Sequence, residues 1–180
     1  MASDLLFETD AIDLGALTLD RKALERWLPH RGQMLLLDGL VWRDDDFNRG
    51  IAVKHVRDDE FWCAGHIPDY PLMPGVLMIE AGAQLSSVLY YMRSGKEWFA
   101  GFTRIENTVF RGQVRPGDDL YILCVGLKYN PKRFVTQIQG VVNNEIVFDS
   151  TITGMAFPNV LPGVSVVAGN RKTTEAAPRP

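Results

Sequence analysis

The chain has 180 residues, of which 46% are hydrophobic and 10% aromatic, and its formal net charge at pH 7 is −3. This length suits one domain, and the apolar content is sufficient for a packed core, which excludes a disordered chain. Because basic residues are neither in excess nor gathered in one block, nucleic acid is not expected as a partner.

Two cysteines, Cys63 and Cys124, form neither a disulfide framework nor the spacing of a zinc cluster, and free thiols are typical of a reducing compartment. The first ten residues contain acids but no basic stretch followed by an apolar core, so no secretory signal is expected. No apolar run reaches the length of a membrane span. We therefore expect a soluble cytoplasmic protein.

The first half of the chain predicts a short helix and two strands. Residues 20–28 are patterned as a helix, with Asp20 as its N-cap and Pro29 as its end. Residues 34–42 and 50–56 are patterned as strands, and residues 61–71 as a loop with aromatic side chains. Residues 1–19 are weakly patterned and are assigned as an N-terminal extension.

Residues 74–93 predict the longest helix. Pro74 suits the first helical turn, and the following stretch is apolar on nearly every side. A helix of this kind in a soluble protein is buried. Its small residues would allow close packing against a neighbour; they are Ala81, Gly82, Ala83, Ser86 and Ser87.

The remaining chain predicts strands, separated by turn signals such as Asn143–Asn144. The predicted strands are 98–105, 108–114, 119–129, 134–142 and 145–157. The expected fold is α+β, with one long helix wrapped by a curved, mostly antiparallel sheet. We assign residues 20–157 to this domain and expect the C-terminal extension, residues 158–180, to be largely disordered.

Two ionisable residues fall where the pattern predicts burial, His66 in the loop and Glu80 within the apolar helix. A buried carboxyl group needs a partner or a raised pKa, and a histidine with such a carboxyl group suits proton transfer. Each residue also has a structural interpretation, because His66 could be a satisfied loop residue and Glu80 could pair with an arginine. Gln84, one turn after Glu80, could hold the carboxyl group or make an ordinary polar contact.

The start of the helix is a second candidate feature. Free backbone N–H groups near Gly75 and Val76 could polarise a carbonyl group, although every helix start has such groups. His30 and His55 are expected to be structural or at the surface. The three histidines of the chain are too scattered to indicate a metal site.

The segment Gly65-His66-Ile67-Pro68, followed by residues 71–84, closely resembles the signature of bacterial 3-hydroxyacyl-acyl-carrier-protein dehydratases. The branch of that family with a glutamate on the helix is the nearer match, because the branch that also isomerises its product has aspartate there. Residues 28–38, 99–101 and 110–118 resemble further family segments in the same order. The resemblance covers roughly residues 20–157.

This resemblance implies the hot-dog fold and the dehydration of a 3-hydroxyacyl thioester to the trans-2-enoyl thioester in fatty-acid biosynthesis. It places the catalytic histidine at His66 and the catalytic carboxyl group at Glu80; we expect them to act as base and acid. It places the thioester-polarising glycine at Gly75, with Val76 beside it, and the supporting glutamine at Gln84. No metal or redox cofactor is required.

The chain departs from the family pattern at two places, with Ile67, Asp69 and Tyr70 in the histidine loop and Gly32-Gln33 after the first helix. Two other functions therefore stay open. A hot-dog thioesterase would use Glu80 to activate water or attack the thioester, but it would rarely need His66. A non-catalytic acyl-binding or assembly module would need neither residue.

The resemblance also predicts partners. The substrate carrier would be acyl carrier protein or coenzyme A, and the chain would form homodimers that can gather into trimers of dimers. Because acyl carrier protein is acidic, basic residues are expected at the site entrance, with Arg111 and Arg115 as the best candidates and Lys132 and Arg133 as further ones. The alternative is that these side chains belong to an ordinary solvated strand face.

Overall fold

The computed structural model describes residues 4–95 and 98–157; the predicted C-terminal extension, residues 158–180, lies outside the described residues. The helices are α1 (Arg21–Leu24) and α2 (Gly75–Ser94), with one 3-10 turn at Gly32–Met34. The strands are β1 (Leu19–Asp20), β2 (Gly39–Arg43), β3 (Arg49–His55), β4 (Phe99–Phe110), β5 (Asp119–Asn130), β6 (Arg133–Val142) and β7 (Glu145–Phe157). None of the helices within the described ranges has the length and hydropathy that a membrane crossing requires.

The strands form one seven-stranded sheet in the order β1-β2-β3-β5-β6-β7-β4. Every neighbouring pair is antiparallel. Helix α2 packs against one face of this sheet, and the main core lies between them. One long buried helix covered by a single antiparallel sheet is the hot-dog fold, so the predicted fold class is confirmed.

Small residues on α2 allow the helix to lie very close to the sheet. A Cβ atom added at Gly82 would be 2.2 Å from Cδ1 of Ile138 on β6, which is closer than any real packing contact. One turn later, the Ser86 hydroxyl lies 2.9 Å from the Thr136 hydroxyl, also on β6. The close approach gives both buried hydroxyl groups a partner, as burial requires.

The first helix is shorter than predicted. Asp20 caps it, as expected, by accepting a 2.7 Å hydrogen bond from the N–H three residues later. After Leu24 the N–H groups of Arg26 and Trp27 bond to the carbonyls three residues back, at 3.2 and 2.9 Å, so the chain continues as a tighter turn. The Arg31 guanidinium donates to the carbonyls of Glu25 (2.9 Å) and Leu28 (2.7 Å), and this favours a compact turn.

The strand predicted over residues 34–42 is largely wrong, because β2 begins only at Gly39. The leucines before Gly39 are buried, but side chains bond to part of this backbone where a neighbouring strand was expected. Gln84 of α2 accepts from the Leu36 N–H at 3.0 Å and donates to the Met34 carbonyl at 2.8 Å. The hydrophobic run before Gly39 therefore forms a buried connection to β2, and Gln84 of α2 holds this connection by two hydrogen bonds.

The strands predicted over 98–105 and 108–114 are one strand, β4, which ends at Phe110. Its pairing with β7 shifts register between Glu106 and Val109, where Asn107 has a φ of 52°. Asparagine tolerates this left-handed conformation better than most residues. The break that the sequence predicted between residues 105 and 108 is therefore a bulge inside one continuous strand.

The N-terminal segment packs on the outer face of the sheet, opposite α2. Gln139 of β6 anchors it by accepting from the Leu6 N–H at 3.0 Å. The segment contributes Leu6, Phe7, Ile12 and Leu14 to a second apolar cluster with Val41, Ile51, Val53, Leu123 and Val141. The weakly patterned N-terminal residues therefore cover an apolar surface that the sheet alone would expose.

Candidate active site

His66 lies in the loop between β3 and α2, with an exposed side chain. Its backbone N–H donates to the carbonyl of the buried Trp62 at 2.9 Å, and its ring Nδ1 lies 2.8 Å from the carbonyl oxygen of Leu72. A carbonyl oxygen only accepts, so Nδ1 must carry the hydrogen. In the neutral ring this leaves the lone pair on Nε2, the atom a general base would use.

The departures at Asp69 and Tyr70 are compatible with an ordered loop. Asp69 has a φ of 63°, a conformation that glycine adopts freely and that aspartate is among the few other residues to tolerate. The Tyr70 hydroxyl donates to Gln113 Oε1 at 2.9 Å, and the Arg115 guanidinium lies 4.3 Å from the centre of the Tyr70 ring. These contacts tie the histidine loop to the segment after β4.

The N-terminus of α2 presents unused backbone donors. Its N-cap, Pro74, has no side-chain cap, and the first N–H bonded to the Pro74 carbonyl is that of Leu77, at 2.9 Å. The N–H groups of Gly75 and Val76 have no hydrogen-bond partner among the described residues. A Cβ atom added at Gly75 would be 2.7 Å from the Phe110 ring, so this close approach requires glycine.

Glu80 lies on α2, with its side chain 18% exposed. Gln84 Nε2 donates to Glu80 Oε1 at 3.0 Å. The Nε2 atom of His30 lies 3.2 Å from the same carboxyl oxygen. The partners of the Glu80 carboxyl group are therefore a histidine and a glutamine, and no arginine contacts it among the described residues.

A cavity of about 380 Å³ lies between α2 and the beginning of β4, with Glu80 in its wall. Two of its polar lining residues, His30 and Gln84, contact the Glu80 carboxyl group, and much of its remaining lining is aromatic or small. The lining residues are His30, Glu80, Ala83, Gln84, Ser87, Phe99, Ala100, Gly101, Phe102, Thr103 and Phe157.

The structure does not join His66 to Glu80 within one chain. The nearest basic side chain to Glu80 is His30, and the His66 ring is bonded to Leu72. His30 was expected to be structural, and its position beside Glu80 was missed. The sequence signal for a role at the site was the position of His30 in the Pro29-His30-Arg31 segment, which resembles a family segment. No local pattern indicated which residue of α2 His30 would contact.

The two arginines proposed for carrier docking differ in their surroundings. Arg111 forms an ion pair with Asp149 at 2.8 Å. Arg115 stacks on Tyr70 and donates to Gln113, and no carboxylate pairs with its guanidinium in the described part of the chain. Of the two, Arg115 is therefore the less neutralised charge beside the histidine loop.

The family model described as the FabA-like domain matches residues 28–151, well over half of the chain, and this range includes His30, His66, Gly75, Glu80 and Gln84. The chain belongs to the FabA-like family. Among curated proteins, it is 39% identical over 135 residues to the 3-hydroxyacyl-(acyl-carrier-protein) dehydratase FabZ of Geobacillus thermodenitrificans, covering 74% of this chain and 92% of the relative. It is 40% identical over 103 residues to FabZ of Anoxybacillus flavithermus, covering 57% of this chain and 72% of the relative.

A solved structure shares the fold of this FabA-like chain. A chain of the dehydratase heterocomplex ApeI:P from Xenorhabdus doucetiae superposes with a TM-score of 0.64, covering 76% of this chain and 91% of the other. The two are 18% identical, so this likeness concerns the architecture alone.

Proposed function

We propose that this FabA-like protein is a hydro-lyase that converts a 3-hydroxyacyl thioester to the trans-2-enoyl thioester and water, in the biosynthesis of fatty acids or related acyl chains. The observation that carries the proposal is 39% identity to a FabZ dehydratase across 92% of that relative's length. The site chemistry supports it, because the elimination needs a base, an acid and donors for the thioester oxygen.

His66 takes the proton from C2 through Nε2, whose lone pair the Leu72 contact leaves free. Glu80 gives a proton to the hydroxyl group on C3, which departs as water while the C2–C3 double bond forms. The N–H groups of Gly75 and Val76 stabilise the enolate-like charge on the thioester oxygen, where the helix dipole is positive. The substrate is neither oxidised nor reduced, so its electrons balance without a redox partner.

The acyl chain occupies the cavity beside α2. Its polar lining residues Glu80 and Gln84 suit the hydroxyl group, and its aromatic lining residues suit an alkyl chain.

The active form is a homodimer in which the open edges of the two sheets pair, and dimers can gather into trimers of dimers. Strand β4 is an edge strand of 12 residues, and long uncovered edges tend to pair. Four apolar side chains of β4 are exposed; they are Phe102, Ile105, Val109 and Phe110. In such a dimer, His66 of one subunit faces Glu80 of the other.

The carrier is acyl carrier protein, which docks beside the histidine loop through Arg115, with Arg111 as a second contact. Arg115 supports this role because it lies on Tyr70, four residues from the proposed base, without a carboxylate partner among the described residues. Basic groups at such a surface mainly raise the association rate and lose effect with added salt.

The decisive assay incubates the protein with a 3-hydroxyacyl thioester and follows the enoyl product and free thiol separately. We expect enoyl product, reduced by a factor on the order of 100 or more in His66→Ala and in Glu80→Gln. His55→Ala is the matched control, since His55 is an exposed histidine that contacts Asp119 at 2.6 Å. Free thiol without enoyl product would instead support a thioesterase, and neither product would support a non-catalytic module.

The shared site can be tested by mixing the two inactive variants. Random exchange of subunits makes half of the dimers mixed, and each mixed dimer has one intact site, so about a quarter of the wild-type activity should return. If both residues act within one chain, mixing restores nothing. Light scattering at micromolar concentration supplies the independent measurement, and a monomer would contradict the dimer.

Charge reversal tests the docking surface. Arg115→Glu should raise KM for a carrier-bound substrate and leave a pantetheine analogue nearly unchanged, and Arg111→Glu should have the smaller effect because Asp149 already neutralises Arg111. Equal losses with both substrates would show that these arginines act on the fold or the chemistry.

A further inference from the structure

The carboxyl group of Glu80 has its known contacts on one oxygen only. Gln84 donates to Oε1 at 3.0 Å, and His30 Nε2 lies 3.2 Å from the same atom. No described residue bonds to Oε2. The two carboxyl oxygens are therefore in different environments, and the proposed acid chemistry must use one of them.

The surroundings of the His30 ring select its tautomer. The Nδ1 atom is buried and has no hydrogen-bond partner among the described residues. A buried N–H group without an acceptor is costly, and orphaned N–H groups are rarer in proteins than under-satisfied acceptors. The neutral ring therefore carries its hydrogen on Nε2, the atom that faces Glu80.

We propose that His30 is a positioning residue for Glu80. With Gln84 it fills both lone pairs of Oε1, so the proton that Glu80 gives to the departing hydroxyl group leaves from Oε2. This inference rests on the proposed dehydration. The contact is within hydrogen-bond reach, and such contacts in a ligand-free site often tighten when the substrate binds.

The arrangement favours the proton transfer itself. When the Oε2–H bond breaks, its electron pair stays on Glu80 and the carboxyl group becomes negatively charged. Hydrogen bonds to a charged acceptor are roughly twice as strong as those to a neutral one, so the donors on Oε1 stabilise the product of the transfer more than its reactant. His30 keeps its own hydrogen on Nε2 throughout. A proton relay would need a partner at Nδ1, and this buried atom has none among the described residues.

The backbone of His30 is held independently of Glu80. The neighbouring Arg31 guanidinium donates to the His30 carbonyl at 2.7 Å and also to the carbonyls of Leu28 and Glu25. Loss of the imidazole should therefore leave this turn in place. A substitution at His30 can then report on Glu80 and not on the fold.

The kinetic test compares His30→Leu, which removes the donor, with His30→Gln, whose amide retains an N–H group at similar reach. We expect His30→Leu to lower kcat about 10- to 100-fold with little change in KM, and His30→Gln to recover most of the loss. His55→Leu is the control, because it removes a histidine from another carboxylate contact outside the site. Unchanged kcat in His30→Leu, or equal losses in both His30 variants, would overturn the inference.

A second measurement does not depend on turnover. The chain has three histidines, so the ring nitrogens of His30 can be assigned in ¹⁵N spectra by comparison with His30→Gln. We expect a hydrogen on Nε2 and none on Nδ1, and a shift of the Nε2 signal in Glu80→Gln. The opposite tautomer would refute the positioning role. Absence of dehydration by the wild-type protein would refute only the proposed function.

Discussion

Gln84 links the buried helix to the connection that precedes β2, and its replacement by methionine tests that link. The side chain is 1% exposed and makes three hydrogen bonds, to the Leu36 N–H, the Met34 carbonyl and the Glu80 carboxyl group. Methionine has a similar shape but neither donates nor accepts strongly. The substitution therefore removes the hydrogen bonds while it largely preserves packing.

The magnitude follows from the group left without a partner. Leu36 is 1% exposed, so water cannot replace the lost acceptor of its N–H group, and such a group costs about 1–3 kcal/mol. Together with the two lost donor contacts, we expect the free energy of unfolding to fall by about 2–3 kcal/mol. For a chain of this size, that corresponds to a decrease in Tm of about 4–12 °C.

The assay is thermal and urea unfolding at one fixed protein concentration, because dimerisation would couple stability to concentration. Gln137→Met is the matched control, since Gln137 lies half-buried on β6 and its side chain makes no hydrogen bond within the described residues. A Gln84→Met variant that unfolds at the wild-type midpoint would show that the connection before β2 does not depend on this glutamine.

Three further changes test other parts of the fold. Removal of residues 1–14 should uncover the outer apolar face, lower Tm and increase the fluorescence of a hydrophobic dye; unchanged dye binding would contradict that role. Burial raises the pKa of the Cys124 thiol to about 12. At pH 8 an alkylating reagent should therefore modify the partly exposed Cys63 first, and Cys124 only after unfolding. Mass spectrometry of the native protein checks this order, and early modification of Cys124 would contradict it. Gly82→Ala should destabilise the protein by about 1–3 kcal/mol, because the added methyl group overpacks against Ile138. Urea unfolding measures this loss, and a stabilised variant would show that the Ile138 side chain moves aside at little cost.

The elements that the sequence predicted well are those decided by local pattern. The long helix was expected over residues 74–93 and extends from Gly75 to Ser94, because an uninterrupted apolar stretch after a proline has few alternatives. Strand β7 has the predicted bounds, residues 145–157. The preceding turn has positive φ at Asn143 (50°) and Asn144 (65°), which is the conformation that two asparagines between strands favour.

Where the sequence prediction failed, hydrogen bonds that the periodic pattern does not show determined the backbone conformation. The leucines before β2 have a strand pattern, yet the Leu36 N–H and the Met34 carbonyl bond to the Gln84 side chain of α2 and not to a neighbouring strand. The predicted helix over residues 20–28 is shorter because the N–H groups of Arg26 and Trp27 bond to the carbonyls three residues back, in a tighter turn. Periodicity shows neither feature, since the Gln84 contacts join residues 48 and 50 positions apart and the turn after Leu24 depends on local hydrogen bonds.

The candidate site also combines features that the sequence indicates with contacts that only the folded chain shows. The roles proposed for His66 and Glu80 rest on a histidine and a carboxylic acid within a long family signature, and the role proposed for Gly75 rests on its place at a helix start. Only the tertiary structure brought His30, 50 residues earlier in the chain, to the Glu80 carboxyl group. Sequence alone determined which groups could exchange protons, because that depends on residue type; the fold decided their neighbours, because packing joins residues that no local pattern relates.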